Sequence, residues 1–355
     1  MNEGNSTGSN MAESAQGTAP LDGEKDAARR ESAVLRFMST YSIMLILVGL
    51  VVLVAILSGG VSLRIVNLLN VLRQISVIGI IALGVTMCII TAGIDLSSGA
   101  VVAMVSVVVA SLLQASDAMD RLFKGGHPWP IVVVVVIGLG IGVFLGFLNG
   151  LMITRLRIPP FIATLGMMTF ARGWAFIYSQ GRPRGSLTDA FQVIGQGSVL
   201  GIPNAAIVLL LCVALTYVIL KHTLWGRYTY ALGSNMQAAV VSGIKVDRYL
   251  MLVYTYAGFL AAVAAIVLTA RIGSGQPGLG LGYELDAIAA SVIGGTSLAG
   301  GLGSAGGTLI GALIIGVMKN GLDILNVSAD YQQVARAIII VVAVTIDVRK
   351  NARRD

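Results

Sequence analysis

Ten stretches of this chain are apolar over lengths that only a lipid core or a deep protein interior accepts: 37–57, 74–92, 100–115, 131–153, 161–178, 205–220, 250–270, 285–299, 306–326 and 331–346. A helix crossing the hydrocarbon needs about 20 mainly apolar residues, with a range of roughly 17–25. The stretch 285–299 rises only about 23 Å as a helix against a core of roughly 30 Å. It therefore extends into its flanks, thins the bilayer or forms part of a span. Composition removes the alternative of soluble domains: 56% of residues are apolar and 12% charged, whereas soluble domains carry about 25% charged residues. The 44 glycines suit lipid as well, because small residues let membrane helices approach closely and break them where a path is needed. The expected fold is an all-α polytopic membrane protein of about ten transmembrane helices.

The net charge of +7 forms no continuous basic stripe, so nucleic acid is not an expected partner; lipid is. The basic residues instead flank the apolar stretches and report topology. With the N-terminus inside, Lys25, Arg29, Arg30, Arg36, Arg155, Arg157, Lys221, Arg227, Lys245, Arg248, Arg349, Lys350, Arg353 and Arg354 are cytoplasmic. The opposite face holds the thinner set Arg64, Arg73, Arg121, Lys124, Arg182, Arg184, Arg271 and Lys319. Both termini are thus expected in the cytoplasm. Residues 1–36 are hydrophilic and lack the apolar core of a signal peptide, which reads as a disordered cytoplasmic tail. The transmembrane domain is expected over 37–348, followed by a basic tail at 349–355.

Glycine-rich interruptions fall at membrane depth at 93–99, 273–280 and 294–307. Broken backbone is tolerated there only when buried in protein or lining a wet cavity, which a solute path provides. Thr91-Ala92-Gly93-Ile94 after the second stretch and Thr269-Ala270-Arg271-Ile272 after the seventh match at three of four positions. They would be equivalent in two inverted five-helix halves. The inner loop 221–249 contains a segment that reads as a short helix near 235–244. Asn235 or Ser234 caps it, Ala238 and Ala239 favour it, and Gly243 can end it in a left-handed turn.

Catalytic and metal chemistry find no support. His127 and His222 lie far apart in loops, and Cys88 and Cys212 sit inside apolar runs as small buried hydrophobes. No His-Glu-x-x-His motif and no phosphate-cradling Gly-x-x-x-x-Gly-Lys-Ser/Thr loop occurs. The polar groups in or beside spans are Asp95, Asn149, Arg172, Glu284, Asp286, Asn320, Asp323 and Arg336. A charge at a helix centre costs about 2.5–3.5 kcal/mol on insertion scales, so these should face protein or water.

Three segments carry a resemblance, in this order: Thr91-Ala92-Gly93-Ile94-Asp95-Leu96-Ser97-Ser98-Gly99, then Gly226-Arg227-Tyr228 through Gly243-Ile244, then Gly282-Tyr283-Glu284-Leu285-Asp286-Ala287-Ile288-Ala289-Ala290. A fourth, Gly294-Gly295-Thr296-Ser297-Leu298-Ala299-Gly300-Gly301, follows. Together they resemble the sugar branch of ABC permeases, the family of the ribose, galactose and xylose transporters, over roughly residues 40–350. The run from Gly321-Leu322 to Tyr331-Gln332 is most similar to the ribose type. The resemblance implies a permease of the bacterial inner membrane that is not an enzyme and imports a monosaccharide by alternating access. It further implies a second permease copy as homodimer partner, an ABC ATPase subunit holding ATP-Mg, and an extracytoplasmic sugar-binding protein. No cofactor is implied in this chain. The helix spanning Asn235, Ala238, Ala239, Ser242, Gly243 and Lys245 would couple to the ATPase.

A neutral sugar needs partners for its hydroxyls, and carboxylates and amides supply them. Thr91, Asp95 and Ser97 are therefore candidates for the solute path at the first break, with Tyr283, Glu284 and Asp286 near the outer mouth. Two other classes stay open on the residues alone: a proton-coupled secondary sugar transporter, in which Asp95, Glu284 or Asp286 titrates, and a passive channel.

Overall fold

The computed structural model describes residues 43–118, 121–123 and 128–351. The expected tail at 1–36, and Arg353 and Arg354, lie outside them. The described chain is built from helices α1 (Ile43–Leu57), α2 (Ile65–Ile90), α3 (Ser98–Leu112), α4 (Ile131–Thr154), α5 (Pro160–Ser179) and α6 (Asp189–Gln196). After these come α7 (Asn204–His222), α8 (Leu224–Ser234), α9 (Met236–Val241), α10 (Val246–Ile272), α11 (Tyr283–Ile293), α12 (Ala305–Ile324) and α13 (Ala329–Asn351). The strands β1 (Ser198–Val199) and β2 (Ile202–Pro203) pair antiparallel in a small hairpin ahead of α7.

A helix occupies each of the ten predicted stretches, and five of them (α2, α4, α7, α10 and α12) are long and apolar enough to cross a membrane. The largest displacement is at α2, which begins at Ile65 rather than 74. The polar residues that mask its first turns are accommodated: Asn67 and Asn320 exchange amide hydrogen bonds at 2.8 and 2.9 Å, tying α2 to α12. The stretch 285–299 resolves as α11, only 11 residues long, which rises about 16 Å and cannot cross a core of roughly 30 Å.

Helices α2 and α10 form the centre. In their most apolar windows 89% and 72% of the residues are buried, against 28% for α4 and 33% for α7, whose outer faces remain apolar and exposed. That gradient is what a lipid-facing rim around a protein-facing axis produces. Close approach at the axis comes from small residues. Gly138, Gly142, Gly146 and Gly150 recur every fourth position of α4 and so share one face. Three of them meet α10 backbone at Met251, Tyr254, Gly258 and Ala262, an arrangement that gives membrane helices dispersion contacts where no hydrophobic drive exists.

Hydroxyl pairs pin the bundle at two levels. The Thr269 hydroxyl of α10 donates to Ser106 of α3 at 2.9 Å. Thr86 of α2 bonds Ser291 of α11 at 2.9 Å and Thr308 of α12 at 2.7 Å. Partners thus exchange across the chain: α3 lies on α10 as α11 lies on α2.

Two basic residues read as outer-face markers require correction. Arg184 is buried and donates to the Ser179 carbonyl at 2.7 Å, and Lys319 is buried against Asp286. Both side chains are therefore engaged inside the protein rather than standing free beside an apolar stretch.

Candidate functional site at two opposed helix breaks

Helix α2 ends at Ile90, and the chain then runs without helix over 91–97 before α3 begins. Thr91 closes α2: its amide and hydroxyl donate to the Cys88 carbonyl at 3.1 and 2.8 Å. Ala92 follows with φ 58°, the left-handed conformation that turns the chain back into the protein. Asp95 then organises the start of α3. One of its carboxylate oxygens accepts the Ser97 amide at 2.8 Å and the Ser97 hydroxyl at 2.6 Å, and Ser97 in turn accepts the Asn149 amide of α4 at 2.8 Å. Thr91, Asp95, Ser97 and Asn149 are all buried. Hydrogen bonds thus link Asp95, Ser97 and Asn149 at this break, while Thr91 caps the helix that leads into it.

The second break approaches from the other end of the bundle. After α10, residues 273–282 fold back along α3. Arg184 and Gly275 exchange backbone hydrogen bonds at 2.8 and 2.9 Å, and Gly275 packs on Ser106 and Ala110. Arg172 of α5 donates to the carbonyls of Pro277 and Leu279 at 2.8 and 2.6 Å, so a cation inside a predicted span serves to hold broken backbone. The segment ends where Gly280 and Glu284 lie against Gly99. Two half-helices, α3 and α11, thus begin close together, each with an acidic residue at its N-terminal end.

The expected outer-mouth trio divides. Glu284 is buried; one carboxylate oxygen accepts the Gly282 amide at 3.2 Å, and the other has no hydrogen-bond partner. Asp286 is fully buried and bonded to Lys319 at 2.5 Å. The Tyr283 ring lies 5.8 Å from the Lys319 ammonium, a cation–π geometry rather than a ring free to stack elsewhere. Glu284 and Asp286 are thus both buried within the described chain, Asp286 engaged by Lys319 and Glu284 set against Gly99.

Four buried polar atoms along the two breaks have no hydrogen-bond partner among the described residues: Asn149 Oδ1, Ser98 Oγ, Tyr254 Oη and Glu284 Oε2. Tyr254 Oη lies against Gly93, and Ser98 adjoins Gly99. Each such group costs about 1–3 kcal/mol when left unmade. Ser98 and Tyr254 are members that sequence reasoning passed over. The available signal for Tyr254 was a phenol within the apolar stretch 250–270.

On the far side, the loop 221–249 holds two helices rather than one. Asn235 accepts the Ala238 amide at 2.9 Å and caps α9, and Gly243 follows it with φ 77°, as the pattern predicts. Ala238, Ser242, Gly243 and Lys245 are exposed, but Ala239 is buried within this chain. A contact of Ala239 with an outside partner is therefore corrected: one face of this short helix packs on its own protein. The exposed apolar residues are Met236, Val240 and Val241. Helix α8 sits directly on the first break: Gly233 packs on the Ile90 carbonyl and the Gly301 amide, which bond each other at 2.9 Å. The Tyr230 hydroxyl donates to the Gly303 carbonyl at 2.7 Å, and burial holds this phenol above its ordinary pKa, so it stays a donor.

Helices of spanning length surround buried, polar, opposed breaks, an architecture suited to a membrane transport component. The chain belongs to the family described as branched-chain amino acid transport system / permease component, whose model matches residues 67–344. It is 46% identical over 305 residues to the ribose import permease protein RbsC of Bacillus subtilis, covering 85% of this chain and 91% of that one. Identity to RbsC of Escherichia coli K12 is 42% over 311 residues, covering 86% and 93%. The galactose/methyl galactoside import permease protein MglC of Haemophilus influenzae is 36% identical over 328 residues, covering 90% and 96%. These names agree with the sugar-branch resemblance read from the sequence. No solved structure matches the chain.

Proposed function

We propose that this chain is the membrane subunit of an ATP-driven, binding-protein-dependent importer of a neutral monosaccharide, ribose. The observation that carries this reading is the junction of the breaks. Half-helix N-termini bear partial positive charge and attract anionic solute groups. Here each N-terminal end already has its own carboxylate, Asp95 or Glu284. The single carboxylate of a free amino acid would meet a resident anion at whichever end it approached. A polyol brings none, and its hydroxyls complement the unpartnered phenol, hydroxyl, amide oxygen and carboxylate oxygen there. Thr91 and Ser97 shape this part of the path, and Tyr283 and Asp286 act behind it. The names of the relatives support ribose.

In this reading two copies form a homodimer, and both termini and residues 221–249 face the cytoplasm. Ten membrane helices, of which the short α11 enters the membrane without crossing it alone, fall into inverted halves, α1–α5 and α7 with α10–α13, consistent with the exchanged partners of α3 and α11. ATP-Mg is held by an ABC ATPase subunit that docks at 235–245, and an extracytoplasmic sugar-binding protein delivers the solute. ATPase closure then displaces α8 and α9, and through Gly233 the end of α2 and the first break, so that the dimer opens alternately to each side. The orientation is checked with a cysteine at Lys245 in a chain whose Cys88 and Cys212 are replaced by Ala. It should resist an impermeant thiol reagent in intact cells and react after permeabilisation; labelling before permeabilisation would overturn the topology.

The function is tested by labelled ribose uptake into proteoliposomes holding the permease, the ATPase and the binding protein. Uptake should require ATP and both partners. Uptake by this chain alone that collapses with the proton gradient would favour the secondary-transporter reading instead. Within the complex, Asp95→Asn keeps an oxygen for Ser97 and should retain part of the transport. Asp95→Leu should lose roughly ten- to hundredfold, the equivalent of about 1.5–3 kcal/mol for a hydrogen bond to a charged group. Equal losses in both variants with poor expression would assign Asp95 to folding alone.

A further inference from the structure

A lysine buried behind the proposed path for a neutral solute calls for a role. Lys319 lies near the C-terminal end of α12, and its ammonium is 2.5 Å from Asp286 of α11 and 5.8 Å from the Tyr283 ring centroid. Both charged residues are buried, Asp286 completely. Successive residues of a helix are turned by about 100°, so side chains two apart point to nearly opposite sides. Asp286 therefore faces α12 while Glu284 faces Gly99 at the start of α3. At the other end of α11 the hold on its neighbours is of a different kind: Ser291 and Thr86 share hydroxyl bonds, and Gly311 of α12 packs on the Ala290 carbonyl. The first turn of α11, which carries Glu284, is held to α12 by the ion pair.

We propose that Lys319 is a positioning residue. It neutralises Asp286, anchors the first turn of α11 to α12, and so leaves Glu284 as the carboxylate of this turn that meets the solute, with Asp286 outside the path. This rests on the transport function proposed above. A buried pair of this kind is vulnerable in a characteristic way: removing one partner leaves an uncompensated charge, whereas replacing both by neutral groups of similar shape is tolerated.

The test uses the complete complex in proteoliposomes, with wild type as the control. Absence of ribose uptake by wild type would indict the transport reading and not the ion pair. Lys319→Met and Asp286→Leu should each lower uptake at least about tenfold at equal permease abundance, and the double variant Asp286→Asn with Lys319→Gln should return uptake to within about threefold of wild type. Adding Glu284→Gln to that double variant should depress uptake as strongly as it does in wild type. A double variant that assembles and melts like wild type yet stays inactive would place Asp286 on the solute and overturn the proposal. So would single variants that transport normally. If the single variants fail to insert, rescue by the neutral pair remains decisive in both directions.

Discussion

Replacing Gly99 with alanine is expected to abolish most solute uptake while leaving the chain in the membrane. Gly99 is the second residue of α3, at the point where the two breaks meet. A methyl group there would overlap the Gly280 carbonyl oxygen and Glu284 Oε2 together. The first is backbone of a segment held by Arg172 and by the Arg184–Gly275 pairing, so it has little room to give. Overpacking of this kind costs about 1–3 kcal/mol, and the cost falls on the contact that brings the half-helices together. A fall in uptake of at least about tenfold follows if the cycle must re-form that contact, since about 1.4 kcal/mol is one decade. Gly99 is the cleaner probe of the junction, because Gly280 has φ 71° and any side chain there is strained whatever the space. Gly140→Ala serves as the control: no atom lies within 4 Å of an added Cβ, and helix propensity favours alanine. Uptake by Gly99→Ala equal to that control at equal abundance would mean that the breaks do not meet during transport.

What could be read from the residues depended on the range of the interaction. Apolar length locates helices because the bilayer acts on each stretch separately, so α4, α5 and α10 fall close to their predicted limits. Local capping is equally visible: Asn235 and Gly243 bound α9 through contacts within a few residues. The start of α2 was hidden because Asn67 is made acceptable by Asn320, 253 positions away in the chain. Lys319 read as a flanking charge for the same reason, its partner lying on another helix. The glycine runs announced both breaks. That the breaks converge at Gly99 and Gly280 follows from how α3 lies on α10, which no local pattern encodes. The four-residue glycine repeat of α4 was written in the chain, but its meaning required the matching Gly258. Ala239 shows the converse limit, because composition marks a helix as fit for close packing without saying which face packs inward.

The substitution Val241→Asp is expected to uncouple the permease from its ATPase without harming insertion. Val241 is 89% exposed and Val240 58%, on a helix whose Ala239 is turned into its own chain. Exposed apolar side chains on this capped turn offer contact area to the proposed docking partner. Loss of a buried apolar contact at the centre of an interface costs about 2 kcal/mol or more, and a desolvated carboxylate adds to that. The ATPase should then no longer co-purify with the permease, and ATP hydrolysis should no longer respond to the loaded binding protein. The signal has a structural route inward: α9 follows α8, and α8 rests through Gly233 on the Ile90 carbonyl, one residue before the first break. Substitutions elsewhere in the helix are less discriminating. Gly243→Trp strains the backbone at φ 77° wherever the surface docks, and a larger residue at Ala239 disturbs packing inside the chain. Val241→Asp changes neither, since it adds a charge at a solvated position. Uptake and sugar-stimulated ATP hydrolysis that persist in Val241→Asp would remove α9 from the coupling surface and with it the proposed route from the motor to the helix breaks.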